Sequence, residues 1–390
     1  MLIGIIGAPN KGKSTIFSAM TLVNAKIEDR PFTTISPNYG VAYVTTKCVD
    51  SELGVKCNPR NSICNNGTRE IPVNVIDVAG LVPGAHLGKG MGNQFLNDLI
   101  QADALIQVVD LSGKTDEYGN PCDGCDPAKE VDMVRDELAR WLAGILAKHM
   151  KGIARRQDGD IAIKEVLSGF NISLEQIRKA AEANFLSLNG IDWNEEDTYK
   201  FSDTLMRISK PTVIAANKLD MSSIEALENL RKRLEGYEVI GCSGAIELAL
   251  RNAAKNGYIA YTPGSGSFEI KGKLSEEQEK ALRLMQKYLA KYHTTGVQEL
   301  INKTVFEVLG YIVVYPVEDE NKYTDHNGNV LPDALLVKKG STAKDLAEKI
   351  HSELAANMLY AINAKTKARI GKDYLLSNND VIKIVSAAKK

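Results

Sequence analysis

Residues 7–15 of this 390-residue chain, GAPNKGKST, contain the side chains with the clearest chemical purpose. Gly7 and Gly12 allow backbone angles that other residues resist, so that successive N–H groups can face phosphate oxygens. Lys13 would reach the β- and γ-phosphates, and the Ser14 hydroxyl would bind Mg²⁺. The alternative is a glycine-rich turn that contains Lys-Ser by chance. The other loop residues expected around the phosphates are Ala8, Pro9, Asn10, Lys11 and Thr15.

The segments on either side of this loop favour phosphate binding. Residues 2–6, LIGII, are apolar and β-branched, which is typical of a central parallel strand. Residues 14–20 then begin a helix. A glycine loop between a strand and a helix is the context that a P-loop requires. The sequence therefore predicts a nucleoside triphosphate site here.

A second strand, IPVNVIDVAG at residues 71–80, supplies two further candidates. Asp77, at the end of the strand, can hold Mg²⁺, usually through water. Gly80, three residues later, has a backbone N–H that can approach the γ-phosphate. We expect both residues beside the loop.

A third strand, PTVIAANKLD at residues 211–220, indicates which base is bound. It ends in the tetrapeptide Asn217-Lys218-Leu219-Asp220. The Asp220 carboxylate can accept hydrogen bonds from N1–H and from the exocyclic amine of guanine. Adenine offers no such pair of donors, so ATP would leave this charge unpaired. The tetrapeptide thus favours GTP over ATP.

Together these motifs resemble those of the P-loop GTPases, and finer details resemble the Obg-like family. The glycine loop, PFTTISPN at residues 31–38 and DVAGLVPGAHLGKGMGNQFL at residues 77–96 are similar to the branch that contains YchF and its archaeal relatives. YchF itself has a changed fourth motif and favours ATP, whereas residues 217–220 have the guanine form. The resemblance implies GTP as the ligand and an α/β, Ras-like G domain with a mostly parallel sheet.

The same resemblance assigns residues outside these core motifs. Thr34 would be the switch threonine that contacts Mg²⁺ and the γ-phosphate, with Thr33 as the fallback. The alternative is a plain β-turn between two prolines. Ser243 and Gly244 lie where the family carries its fifth, base-recognising motif, although Ser-Ala is usual there. The expected Mg²⁺ ligands are Ser14, Thr34 and Asp77.

The sequence leaves open how the attacking water is positioned. Ras-like proteins carry a glutamine where this chain has Leu81, and the Obg-like family shares the hydrophobic replacement. Asn10 matches an asparagine that some relatives use to bind K⁺ near the phosphates, or it only shapes the loop. His86 could act on the water, although a lone histidine in a loop is more often a surface residue. Candidate catalytic residues are therefore Lys13, Thr34, Asn10 and His86, and we expect slow intrinsic hydrolysis.

The rest of the chain predicts two additions to a G domain. About a hundred residues separate the strand at 104–110 from the third motif, more than one crossover helix requires, and much of this stretch has helical spacing. The YchF branch carries a helical insertion at this place, which either caps the site or forms a partner-binding arm. The C-terminal region resembles a β-grasp TGS domain. The expected limits are 1–110 and 206–300 for the G domain, 111–205 for the helical insertion and 304–390 for the TGS domain.

The cysteines allow one metal hypothesis. Cys122 and Cys125 have the CxxC spacing of a zinc or redox half-site, and Cys57 and Cys64 could supply the other half. A single CxxC pair is a weak zinc pattern, and the relatives do not require it. A four-cysteine site is therefore only an alternative.

The composition argues against extensive binding to nucleic acid or membranes. With 48 basic and 49 acidic residues, the chain is not suited to coating nucleic acid, although a local basic patch is allowed. No apolar run approaches the roughly 20 residues of a membrane helix, and the first residues do not resemble a signal peptide. Four basic residues of the TGS-like region form either a solvated edge or an RNA contact: Lys365, Lys367, Arg369 and Lys372.

We therefore expect a monomeric, cytoplasmic GTPase switch that acts on the ribosome or another RNA, without membrane or DNA. Two alternatives stay open. One is an ATPase like YchF, and the other is an RNA-binding module with a structural nucleotide.

Overall fold

A computed structural model describes residues 1–22, 38–78, 80–87 and 99–387. Contacts between residues divide the chain into two compact units. The larger comprises residues 1–42 and 74–300, and the smaller comprises residues 43–73 and 301–390. Thr33 and Thr34 lie outside the described residues, and the domain limits expected from the sequence stay a prediction.

A mostly parallel sheet positions the glycine loop, as the sequence predicts. Its strand order is β2-β4-β1-β5-β6-β7, with β3 paired antiparallel to β4. β1 lies parallel to β4 and β5, and β6 lies parallel to β5 and β7. β5 is buried along its whole length, as expected for a parallel strand covered on both faces. The strands are β1 (Leu2–Ile6), β2 (Asn38–Lys47), β3 (Ile63–Asn65), β4 (Thr68–Asp77), β5 (Ala104–Asp110), β6 (Thr212–Asn217) and β7 (Glu238–Gly241).

The described helices of the larger unit follow the apolar spacing of the sequence. Ser173 and Ser275 each begin a helix with a capping box, as their Ser-x-x-Gln patterns predict. A short antiparallel pair, β8 (Ile259–Ala260) and β9 (Glu269–Ile270), precedes the second of these helices. The helices are α1 (Lys13–Thr21), α2 (Pro127–Ile153), α3 (Gly159–Val166), α4 (Leu174–Ala183), α5 (Glu195–Ser209), α6 (Ile224–Arg233), α7 (Gly244–Lys255), α8 (Glu276–Tyr292) and α9 (Val297–Lys303).

Helices α2 to α5 lie between β5 and β6 in sequence and share an apolar core. The rings of Trp141 and Phe170 are 5.4 Å apart in this core. The buried Lys210 ammonium donates to three backbone carbonyls, among them Ala102 at 2.6 Å and Phe170 at 3.0 Å. Because Ala102 lies two residues before β5, this lysine ties the helical region to the sheet.

The smaller unit contains a second, mixed sheet with the order β11-β10-β14-β12-β13. Two helices, α10 (Ala343–Ile350) and α11 (Ser352–Ala356), cover an apolar core on it. No helix in the described ranges is long and apolar enough to cross a membrane. The strands are β10 (Tyr311–Val317), β11 (Leu335–Lys338), β12 (Met358–Asn363), β13 (Ala368–Ile370) and β14 (Asp380–Ser386).

Candidate nucleotide-binding site

The loop between β1 and α1 depends on its two glycines. Gly7 and Gly12 have φ angles of 139° and 88°, which favour glycine. A Cβ atom on Gly7 would lie 2.4 Å from the carbonyl oxygen of Val108, and one on Gly12 would lie 2.3 Å from Asn217 Nδ2. A side chain at Gly7 would therefore displace the backbone of β5, and one at Gly12 would displace the Asn217 side chain.

Lys13, Ser14 and Asp77 lie together at the start of α1. The Lys13 ammonium is buried and donates to the carbonyl of Ala8 at 2.8 Å. Burial lowers its pKa to about 8, although the nearby Asp77 opposes this. The Ser14 hydroxyl donates to Asp77 Oδ2 at 2.7 Å. The expected phosphate lysine and two expected Mg²⁺ ligands are thus neighbours.

The structure provides oxygen atoms suited to Mg²⁺. Asp77 is fully buried, and its Oδ1 has no hydrogen-bond partner in the described part of the chain. Burial raises the pKa of this carboxyl, and the positive charge of Lys13 opposes the rise. Magnesium prefers oxygen ligands and is commonly held by one or two carboxylates together with phosphate oxygens and water. Ser14 and Asp77 therefore fit the ion.

The Lys11 side chain has a structural role that the sequence did not reveal. Its ammonium is fully buried and donates to the carbonyls of Thr115 and Asp116, at 2.9 and 2.8 Å, and to the Glu130 carboxylate on α2. Burial raises the pKa of Glu130, and contact with Lys11 opposes the rise. A phosphate contact by Lys11 would have to come from its backbone.

Asn217 connects the glycine loop to the fifth motif. Its Nδ2 donates to the carbonyl of Lys11 at 2.8 Å, and its Oδ1 accepts from the N–H of Gly244 at 3.0 Å. Both amide atoms are therefore used inside the protein. The residue joins three segments that are far apart in sequence.

Lys218 supports the loop through a carboxylate that sequence reasoning missed. Its ammonium donates to the Asn10 carbonyl at 3.0 Å and to Asp110 Oδ2 at 2.8 Å. Burial tends to raise the pKa of Asp110, but hydrogen bonds from Lys218, Ser112 and Thr115 outweigh it and hold the pKa below its usual value. In the sequence, only its position at the end of a core strand indicated a role for Asp110.

Asp220 and Ser243, two residues that the sequence predicts near the base, are hydrogen-bonded to each other. The Ser243 hydroxyl donates to Asp220 Oδ1 at 2.6 Å and accepts from the N–H of Ile246 at 3.3 Å, which caps α7. The Asp220 side chain is exposed. A Cβ on Gly244 would lie 2.8 Å from Ile16 Cγ1, which explains why glycine replaces the usual alanine.

Asn10 and His86, the two residues proposed to act on water, both have polar partners within the protein. Asn10 has a φ angle of 61°, and its Nδ2 donates to the carbonyl of Gly119 at 2.9 Å. His86 Nδ1 lies 2.6 Å from a carboxylate oxygen of Glu137 on α2. Leu81 is buried. The Asn10 contact is of the loop-shaping kind, and a role in hydrolysis for Asn10 or His86 stays a prediction.

The four-cysteine arrangement considered from the sequence is not formed. Cys122 and Cys125 are joined to each other by a disulfide. Cys57 and Cys64 lie in the smaller unit beside Cys48 and Asp50.

Three family descriptions match different parts of the chain. "50S ribosome-binding GTPase" matches residues 2–151, "Obg-like GTPase YGR210-like, G4 motif-containing domain" matches residues 215–319, and "TGS domain" matches residues 324–386. The first two regions contain the glycine loop and Asp220, respectively.

Relatives match over nearly the whole length. A GTP-binding protein of Methanocaldococcus jannaschii is 52% identical, covering 100% of both chains. One of Schizosaccharomyces pombe is 34% identical, covering 90% of each. The crystal structure of a GTP-binding protein from Pyrococcus horikoshii, 40% identical, superimposes with a TM-score of 0.81 over 99% of this chain and 100% of that one. The chain therefore belongs to the Obg-like, YchF-related family of P-loop GTPases, with a TGS domain.

Proposed function

We propose that the protein binds GTP with Mg²⁺ and hydrolyses it slowly to GDP and phosphate, as a switch. The observation that carries this proposal is the pairing of Asp220 with Ser243 at 2.6 Å. Since Asn217 connects the segment of Ser243 and Gly244 to the glycine loop, base and phosphates would be bound by one hydrogen-bonded unit. We place this activity in the cytoplasm, in a monomer.

The chain's own residues account for nucleotide binding. Lys13 would exchange its bond to the Ala8 carbonyl for the β- and γ-phosphates, so that a buried ammonium gains charged partners. Ser14, Asp77 and Thr34 would hold Mg²⁺, which neutralises charge that develops on the phosphates. Gly80 would offer its N–H to the γ-phosphate. Asp220, already oriented by Ser243, would accept two hydrogen bonds from guanine.

Hydrolysis proceeds without the Ras-type glutamine in this proposal. Leu81 is buried and has no polar side-chain atom. The Asn10 Nδ2 is engaged by Gly119, and its Oδ1 is the atom that would ligate K⁺. His86 is the alternative: Glu137 holds its Nδ1, and Nε2 would be the atom that acts on the water.

The ribosome or another RNA is the proposed partner of the GTP-bound state. The family description "50S ribosome-binding GTPase" supports this choice. In the basic edge of the TGS domain, the Arg369 guanidinium lies 3.8 Å from the centre of the Tyr360 ring. Such stacked pairs suit RNA bases and phosphates. Lys365 is instead paired with Glu52 at 2.9 Å and contributes less.

Co-sedimentation with ribosomes tests the switch. We expect more protein to pellet with a non-hydrolysable GTP analogue than with GDP, and ribosomes to accelerate single-turnover hydrolysis. The Arg369→Ala variant should pellet less, whereas Arg283→Ala, on α8, is the matched control. Equal pelleting in both nucleotide states would contradict the switch. Undetectable hydrolysis with and without ribosomes would favour the RNA-binding module with a structural nucleotide.

A further inference from the structure

Three thiols and one carboxylate converge in the smaller unit. Cys48 directly follows β2, Asp50 and Cys57 lie in the next loop, and Cys64 is on β3. Their ligand atoms, three Sγ and one carboxylate oxygen, all lie within 4.8 Å of one another. None of these four residues belongs to a nucleotide-binding motif.

The distances match the edges of a metal tetrahedron. Zinc binds thiolate sulfur at about 2.3 Å and carboxylate oxygen at about 2.0 Å, so sulfur atoms should be about 3.8 Å apart and sulfur and oxygen about 3.5 Å. Cys48 Sγ lies 3.9 Å from Cys57 Sγ. Asp50 Oδ2 lies 3.2 Å from Cys57 Sγ and 3.9 Å from Cys64 Sγ. Four donors could therefore bind one small cation with little movement.

We propose that Cys48, Asp50, Cys57 and Cys64 form a closed, tetrahedral Zn²⁺ site that stabilises the smaller unit. Three soft thiolates with one carboxylate select zinc over Mg²⁺ or Ca²⁺, which prefer oxygen ligands. Four protein ligands leave no position for substrate, so the role is structural.

A buried arginine beside the cluster suits a metal complex with negative charge. Arg69, opposite Cys64 in the β3–β4 hairpin, is fully buried. Three thiolates and one carboxylate around Zn²⁺ would leave two negative charges, of which Arg69 offsets one.

The local backbone already holds the ligands in place. The Cys48 N–H donates to the Gly67 carbonyl at 2.7 Å, which ties the first ligand to the β3–β4 turn. The Ser51 N–H donates to Asp50 Oδ1 at 2.7 Å and leaves Oδ2 directed at the sulfur atoms. This second contact is the kind that orients a metal ligand.

The site would fix a loop that has little regular structure of its own. Between β2 and β3, residues 48–62 form turns, bends and irregular backbone. The loop contacts the C-terminal part of the same unit through Arg60, whose N–H donates to the Pro332 carbonyl at 2.8 Å and whose guanidinium pairs with Asp333 at 2.8 Å. A metal that joins the loop to β3 would keep the loop in the position in which Arg60 makes these contacts.

Metal analysis of the full chain, prepared under reducing conditions without chelators and with zinc supplied, tests the proposal. We expect about one Zn²⁺ per chain in the wild type and in Cys122→Ser/Cys125→Ser, and almost none in Cys57→Ser/Cys64→Ser. Wild-type protein without metal would overturn the proposal. So would zinc retained by Cys57→Ser/Cys64→Ser or lost from the control.

Cobalt spectroscopy of the wild type covers the case in which the variant does not fold. Replacing zinc by Co²⁺ should give thiolate-to-cobalt charge-transfer bands and the strong visible absorption of tetrahedral coordination. Thiol alkylation should be slow at Cys57 and Cys64 with metal bound and fast after chelation. Absence of thiolate bands, or a Cys48–Cys57 disulfide found by mass spectrometry in place of metal, would contradict a zinc site.

Discussion

The phosphate end and the base end of the nucleotide site are built in different ways. At the phosphate end, Lys13 and Asp77 are buried, and each has a polar partner before any ligand arrives. At the base end, Asp220 is exposed and is held by one hydroxyl, that of Ser243. Buried charges affect every nucleotide, whereas an exposed carboxylate acts only through the base that it contacts. We infer that affinity comes mainly from the phosphate end and selectivity from the base end.

The largest effect is expected from Lys13→Ala. Removing one member of a buried, charge-assisted contact costs about 2–5 kcal/mol, so GTP and GDP should each bind about 100-fold more weakly or worse. Titration with fluorescent nucleotides measures this, with Lys255→Ala on the surface of α7 as control. Unchanged affinity for both nucleotides would contradict the assignment of Lys13 to the phosphates.

Lys11→Met should lower the free energy of unfolding, because Lys11 pairs with the buried Glu130 next to the phosphate end. A buried Glu130 that loses its cation costs about 3 kcal/mol of unfolding free energy, unless it takes up a proton. A carboxyl whose pKa is raised in the folded state keeps protons that the unfolded chain has released. Because the pKa of Glu130 is already about 8 in the wild type and would rise further without Lys11, the loss relative to the wild type should grow as the pH rises above about 8.

Denaturant unfolding of Lys11→Met at several pH values is the measurement, with Lys11→Met/Glu130→Leu as the matched variant. We expect the double variant to recover much of the loss and to lose the pH dependence that comes from Glu130, because position 130 no longer carries a carboxyl. A pH-independent loss in the single variant would mean that Glu130 is not the cause.

A smaller effect separates the two roles considered for Asn10. If its side chain ligates K⁺, single-turnover GTP hydrolysis should be at least about 10-fold faster in K⁺ than in Na⁺, or about 1.4 kcal/mol of the barrier. Asn10→Ala should remove that difference. Equal rates in both salts and in the variant would leave Asn10 only its contact with Gly119.

The smallest effect is expected at the base end from Gly244→Ala. The new methyl group would press on Ile16 and cost about 1 kcal/mol of unfolding free energy. Gly144→Ala is the control, since a Cβ on this α2 glycine meets nothing within 4 Å and alanine favours helix. A thermal shift of equal sign and size in both variants would show that packing on Ile16 is not what requires glycine.

Sequence alone predicted the parts of the site that depend on neighbouring residues. The glycine loop, Asp77 and the Asn217–Asp220 tetrapeptide each lie at the carboxyl end of a strand, so the sequence pattern reveals them. Lys11 looked like a phosphate contact because nothing local indicates that its side chain reaches Glu130, 119 residues later.

Contacts between residues far apart in the sequence also explain why β12 and the cysteine cluster were not predicted. β12 is not evident from the sequence, because its formation depends on pairing with β14, which lies further along the chain. The cluster of Cys48, Asp50, Cys57 and Cys64 could not be recognised from the sequence, because Cys57 and Cys64 lack CxxC spacing. Folding brings them to Cys48 and Asp50, whereas Cys122 bonds to Cys125.

Competition against labelled GDP tests the central claim, that Asp220 selects guanine. In the wild type, ATP should compete at least about 100-fold more weakly than GTP, because adenine leaves the carboxylate unpaired. Asp220→Asn should lose a similar factor for GTP and gain xanthosine triphosphate, whose C2 carbonyl can accept from the new amide. Equal competition by ATP and GTP in the wild type would contradict the account and favour an ATPase like YchF.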